Sequence, residues 1–124
     1  MKYNKCIYAT GDVTLNTTNT SGKLTVVSEG NINDNSTGAN LQAWDTTNGL
    51  LFYSAKAYTA QANGTTYTGV IYAPTSQLDG GFSNSTLSGG LYSKYINFNS
   101  GTSLTAYQAA AFQQLLTTYR FKAL

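Results

Sequence analysis

The 124-residue chain has no histidine, one cysteine, one proline and few charges, seven Lys plus Arg against five Asp plus Glu. Each shortage removes a class of chemistry. Without histidine there is no Ser-His-Asp triad, no imidazole ligand for a metal and no proton shuttle near neutral pH. A single cysteine, Cys6, permits neither an internal disulfide nor a thiolate metal cluster. Burial as a small hydrophobe is the expectation for it, with an intermolecular disulfide as the alternative. The net charge of +2 comes from scattered lysines and one arginine near the end, so no basic patch exists to hold nucleic acid. No apolar run approaches a membrane span, and the start, Met1 to Lys5, is not followed by the apolar stretch of a signal peptide. For an exported protein, the export signal is expected outside this sequence.

What is abundant is small and polar. Thr, Asn and Ser number 19, 12 and 11, beside 12 Gly and 10 Tyr. Within this background five segments repeat one pattern, a large apolar residue, usually Tyr next, then Ala or Ser. They are Ile7-Tyr8-Ala9, Val26-Val27-Ser28, Phe52-Tyr53-Ser54, Ile71-Tyr72-Ala73 and Leu91-Tyr92-Ser93, with spacings of 19, 26, 19 and 20 residues. Glycine precedes four of them (Gly22, Gly49, Gly69, Gly89), and Leu78 aligns with Phe98 in the last two repeats. The apolar runs are short, rich in Val, Ile, Tyr, Phe and Thr, and bounded by Gly, Asn, Ser and Asp, which is strand and turn chemistry.

A period near 20 is too short for a helix pair and fits two or three strands with tight corners. The expected fold is all-β, a single-domain parallel β-solenoid of about five coils over residues 1–103, each coil rising about 4.8 Å. An antiparallel sandwich is the alternative that the same strand signals permit. In the solenoid, Ile7, Val26, Phe52, Ile71 and Leu91 form an inward ladder. Tyr8, Tyr53, Tyr72 and Tyr92 form an outward one, where hydroxyls reach water or partners. The longer spacing places an insertion around Asn33 to Asn48, carrying the single tryptophan, Trp44. That ring either folds back over a core edge or stacks on a ligand. A second irregular stretch is expected from Ala55 to Tyr67. Residues 104–124 read as a C-terminal amphipathic helix and tail, with Ala109, Phe112, Leu116 and Tyr119 on one face, capping or flanking the stack.

Solenoids include polysaccharide lyases and glycosidases, which makes the acids Asp12, Glu29, Asp34, Asp45 and Asp79 the candidate catalytic groups. They do not fall into one column, and no arginine lies near the Asp12 and Glu29 pair, so solvated corner positions are expected and no enzyme. Calcium-repeat spacing is absent, and no metal or cofactor is expected. Gly80-Gly81 and Gly89-Gly90 read as corner turns rather than phosphate cradles. Asn-x-Ser/Thr triplets begin at Asn16, Asn19, Asn35, Asn63 and Asn84. An ice-matching threonine row starts at Thr14 but is met by Gln77 and Asn97 in later coils.

Two segments, Tyr67-Thr68-Gly69-Val70-Ile71-Tyr72-Ala73-Pro74 and Leu87-Ser88-Gly89-Gly90-Leu91-Tyr92-Ser93-Lys94, resemble the C-terminal coils of bacterial pilus-assembly-type envelope proteins, PilX-like and Tad-like. Residues 7 to 99 are covered by the resemblance. It implies a β-solenoid at the bacterial cell surface or outside it, and no catalytic residue. The functional expectation is a non-enzymatic extracellular structural or adhesive module, standing alone or as a subunit of a pilus-like or other surface filament, with protein partners or a second copy of itself. The alternative is a glycan-binding solenoid using Tyr8, Tyr53, Tyr72, Tyr92 and Trp44.

Overall fold

The computed structural model describes residues 2–45, 49–98 and 102–107. In chain order the strands are β1 (Lys2–Ala9), β2 (Val13–Leu15), β3 (Ser21–Ser28), β4 (Ile32–Asp34) and β5 (Asn40–Gln42). They continue as β6 (Leu50–Ser54), β7 (Tyr58–Asn63), β8 (Thr66–Ser83), β9 (Ser85–Phe98) and β10 (Leu104–Tyr107). Every strand pairing among the described residues is parallel. Coils begin at residues 2, 21, 40, 66 and 86, and β10 starts a further one with Thr105 on Thr86. The described residues therefore form an all-β parallel solenoid of about five coils.

Each coil has two strand-bearing sides and one short side. β1, β3, β5 with β6, and the first parts of β8 and β9 stack on one side; β2, β4, β7 and the second parts of β8 and β9 stack on the next. The short side is stitched by the Thr18–Thr37 and Thr37–Asn63 bridges. It turns at Asn19 (φ 48°), Gly38 (φ 62°), Gly64 (φ 60°) and Asn84 (φ 47°). Only Gly and Asn enter the left-handed region at low cost, which accounts for these two residue types at this corner.

The repeated tripeptide builds three columns in register: Ile7–Val26–Phe52–Ile71–Leu91, Tyr8–Val27–Tyr53–Tyr72–Tyr92, and Ala9–Ser28–Ser54 continued by Ala73–Ser93. The first points inward, with Val26, Phe52 and Ile71 fully buried. The third explains why only Ala or Ser follows the tyrosine. Ser28, Ser54 and Ser93 donate their hydroxyls to the carbonyls of Gly11, Gly30 and Ala73, each in the preceding coil, at 2.7 to 2.8 Å. Aromatic rings fill the middle coils, with Phe52 stacked on Tyr58 at 5.9 Å and Tyr67 edge-on to Phe82 at 5.7 Å.

Several expectations need correction. The insertion does not span Asn33 to Asn48: Ile32–Asp34 and Asn40–Gln42 are regular strands, and the excursion leaves at Trp44 and returns at Gly49. The stretch from Ala55 to Tyr67 is not irregular, because Tyr58–Asn63 is a core strand with Tyr58, Ala60 and Ala62 buried. Leu78 stacks on Ile96 rather than Phe98, since the chain bulges between Ala73 and Gln77. Gly80 and Gly81 lie inside β8, paired with Ala60 and Gln61, and Gly89 and Gly90 lie inside β9, so neither pair turns a corner. Gly49, Gly69 and Gly89 approach one another from coil to coil, whereas Gly22 instead pairs with Leu41. Cys6 is exposed, at a position that alternates away from the inward Ile7 on β1, which pairs with β3 alone among the described residues. The expected helix from residue 104 begins instead as strand β10, and its remainder, 108–124, lies outside the described residues. No helix among the described residues is long and apolar enough to cross a membrane.

Candidate functional site

The outward column on the first side collects the residues singled out from the sequence. β1, β6, β8 and β9 each deliver one tyrosine, because the alternation that points Ile7, Phe52, Ile71 and Leu91 inward turns the next residue out. Tyr8 is 64% exposed and Tyr72 40% exposed, while Tyr53 and Tyr92 are half-buried between neighbours. Tyr53 meets Tyr72 edge-to-face with centroids 5.9 Å apart, and Tyr72 meets Tyr92 in the same way at 6.4 Å. Val27 interrupts the column between Tyr8 and Tyr53. The Tyr8 hydroxyl pairs with Glu29, whose carboxylate pushes the phenol's pKa up; partial burial does the same at Tyr92.

Trp44 comes to this same side. Its amide donates to the Thr25 hydroxyl (2.9 Å), which itself donates to the Leu50 carbonyl (2.7 Å), so Thr25 ties together both ends of the excursion. Thr25 and Val27 are two apart on β3 and face the same way. The tryptophan is 47% exposed, so it does not disappear into a core edge. Further along the same strands, six and four residues before the column position of Tyr72, run two outward polar columns. One is Ser21, Asn40, Thr66 and Thr86; the other is Lys23, Gln42, Thr68 and Ser88. Sequence reasoning missed these columns, because the excursion lengthens the distance to the tyrosine in the third coil and only Thr66 and Thr86 stand six residues ahead of theirs.

Two of the carboxylates brace the chain. Asp12 accepts from the Asn31 amide (2.8 Å), and Asp79 from Gln77 (2.6 Å) and Asn97 (3.4 Å), each holding neighbouring chain in place. Among the described residues no group of three potential metal ligands occurs. The threonine row is broken as expected, but its members in register are Thr14, Asn33, Thr59, Asp79 and Asn97, so Asp79 rather than Gln77 takes the fourth place.

Asp34 is no solvated corner residue. It is fully buried, in a column with Leu15 and Ala60. Its Oδ2 accepts from the hydroxyls of Tyr58 (2.6 Å) and Tyr67 (2.7 Å), and its Oδ1 from the Ser36 amide (3.1 Å) and hydroxyl. Thr17 extends the chain by donating to Ser36 at 2.6 Å. Sealed from solvent, the cluster can meet no substrate and works as a pin between coils. Burial, then the Asp34 charge, pushes the pKa values of Tyr58 and Tyr67 well above the ordinary tyrosine range. The folded state thus keeps two protons that an unfolded chain releases near pH 10, so this contribution is whole below about pH 10 and falls as pH rises further. Absorbance titration at the phenolate band, followed beside circular dichroism, should show these two tyrosines ionising only as the fold is lost. Reversible ionisation of all ten tyrosines near pH 10 in a folded protein would contradict the geometry.

The model of a family described as a domain of unknown function (DUF7305) matches residues 4–111, a span that reaches into all five coils. No curated protein and no solved structure gives a significant match.

Proposed function

The chain belongs to the DUF7305 family, and on that premise we propose that it is a non-enzymatic structural and adhesive module of the bacterial cell surface, the tyrosine side being its adhesive face. The observation that carries this reading is the exposed, in-register column of Tyr8, Tyr53, Tyr72 and Tyr92 with Trp44 alongside. Aromatic rings held outside a rigid core cost contact surface to water and return it on binding. The rigid ladder beneath them means that little freedom is lost when a partner docks. The engaged carboxylates support a role without catalysis. The resemblance of residues 67–74 and 87–94 to pilus-assembly-type envelope proteins supports the cell-surface setting.

Lys5 bears on how such a module joins others. It occupies the position whose counterpart in the next coil is the buried Leu24, so β1 presents a charge where a stacking partner needs an apolar residue. Inward charge on an edge strand opposes edge-to-edge pairing. Contacts within a pilus-like filament would therefore run through the sides or the opposite end.

The experiment is adhesion of the purified chain to glass, to protein-coated plates and to insoluble glycans. A Tyr8→Ala, Tyr72→Ala double variant is expected to bind at least tenfold less, about 1.4 kcal/mol, while a Thr59→Ala control on the neighbouring side binds as the parent does. Adhesion unchanged in the tyrosine variant on every surface would end this reading.

A further inference from the structure

We propose that residues 108–124 of the chain itself cover the end of the solenoid at Leu91, Ile96 and Phe98, closing that end to other copies. The inference goes beyond the adhesive reading and stands apart from it. β9 pairs with β8 along most of its length, from Thr86 on Thr66 to Phe98 on Gly80. On its other edge β10 is laid over Ser85–Ser88, and among the described residues no strand is laid further along. The inward columns end there on large apolar side chains. Ile96 stands on the fully buried Leu78, yet is itself 45% exposed. Phe98 is 48% exposed although its ring lies over Gly80, where an added Cβ would come within 2.6 Å of it. Leu91, on Ile71, is partly buried against the core. An edge strand with an uncovered apolar face is a template for further stacking. The first coil guards its edge with the inward Lys5, whereas the inward Leu91, Ile96 and Phe98 of the last coil are all apolar.

The placement, length and composition of the continuing chain select it as the cover. β10 runs parallel to β9 with Tyr107 on Ser88, so residue 108 begins over Gly89 and the chain heads along the uncovered part of β9. Residues 108–117 are as many as residues 89–98, and the same register carried on sets Ala110 over Leu91 and Leu115 over Ile96. From Gln108 to Tyr119 the sequence holds no charge, and Phe112, Leu115 and Leu116 offer the apolar surface that such a seat rewards; Arg120 and Lys122 come after. A second copy competes poorly for the same place. Tethered through β10, the segment meets the end at an effective concentration on the order of millimolar, far above that of a separate molecule in dilute solution. With this end covered and Lys5 at the other, the sides are left as the surfaces through which the module meets its partners.

The test is disulfide trapping in the full chain carrying Cys6→Ser. Ile96→Cys is combined in turn with Phe112→Cys, Leu115→Cys and Leu116→Cys, so that a small shift of register does not hide the contact. At least one pair is expected to oxidise to a monomer with an internal disulfide, read by mass and by mobility on non-reducing gels. Thr59→Cys with Leu115→Cys, on the neighbouring side, should not. Disulfide-linked dimers alone would assign the end to a second copy and overturn the inference, as would thiols that stay free in every pair. A second measurement leaves the end itself unaltered. Leu115→Asp with Leu116→Asp should uncover Ile96 and Phe98 and raise the fluorescence of added anilinonaphthalene sulfonate severalfold, with the circular dichroism of the parent retained. Dye fluorescence equal to the parent's would overturn the inference as well.

Discussion

A Gly89→Ala variant is expected to lose about 3–5 kcal/mol of folding stability, enough to unfold a domain of ordinary stability. Gly89 has φ 152° and Gly69 φ 141°, and both sit where one coil passes tightly over another. A Cβ on Gly89 would collide with the carbonyl oxygen of Gly69 and approach its carbon to 2.6 Å. On Gly69 it would meet the Gly49 carbonyl oxygen at 2.7 Å and the Cβ atoms of Ala43 and Leu51 at 3.1 Å. The obstacles are backbone: Val70 donates its amide to the Gly49 carbonyl at 2.7 Å, so that group cannot move without giving up a ladder bond. Overpacking of about 1–3 kcal/mol therefore adds to backbone strain of similar size. Gly11, with nothing within 4 Å of an added Cβ, is the control, and its alanine variant should stay within about 0.5 kcal/mol of the parent. Urea unfolding of both variants decides the point; a Gly89→Ala midpoint equal to the parent's would refute the tight stacking.

Asp34→Ala should cost about as much for a different reason. It removes the acceptor for the two tyrosine hydroxyls and for the amide and hydroxyl of Ser36, all inside the core. Each buried donor left unpaired costs about 1–3 kcal/mol, although the groups can partly regroup, so a total near 3–5 kcal/mol is expected. Asp34→Asn keeps the shape but turns one acceptor oxygen into a donor facing two hydroxyls, and about 2–3 kcal/mol should go. The triple variant Asp34→Leu, Tyr58→Phe, Tyr67→Phe removes donors and acceptor together. It should regain much of what Asp34→Ala loses, since matched apolar replacement of a buried polar cluster is often near neutral. Denaturation of the three variants separates the cases. A triple variant less stable than Asp34→Ala would mean that the cluster stabilises the protein outright.

The contrast between these two sites shows what the sequence could disclose. The tyrosine column was legible because each coil spells it with one tripeptide, and backbone alternation then fixes which residue faces out. Asp34 was not legible. A short Ile-Asn-Asp run followed by Ser, Thr and Gly has the composition of a turn, and the residues that neutralise it, Tyr58 and Tyr67, come from the next coils. Tyr58–Asn63 was obscured in a similar way, because alanine fills two of its inward positions and Asn63-Gly64 ends it with a turn signal. The slip of Leu78 against Phe98 has a local cause, since the bulge between Ala73 and Gln77 carries Pro74, and one-dimensional alignment counts bulged residues as if they advanced the coil. Cys6 was misplaced because burial depends on whether a coil lies beneath, which composition does not record.

The excursion of the third coil has a last consequence. Its base is closed by the Gly49 amide on the Asp45 carbonyl at 2.8 Å, and past it the Val26–Phe52–Ile71 column runs on unbroken. The extra sequence is taken up by a one-residue shift of register between Leu50 and Phe52 against β8, and from Phe52 on the inward ladder of every coil runs level again.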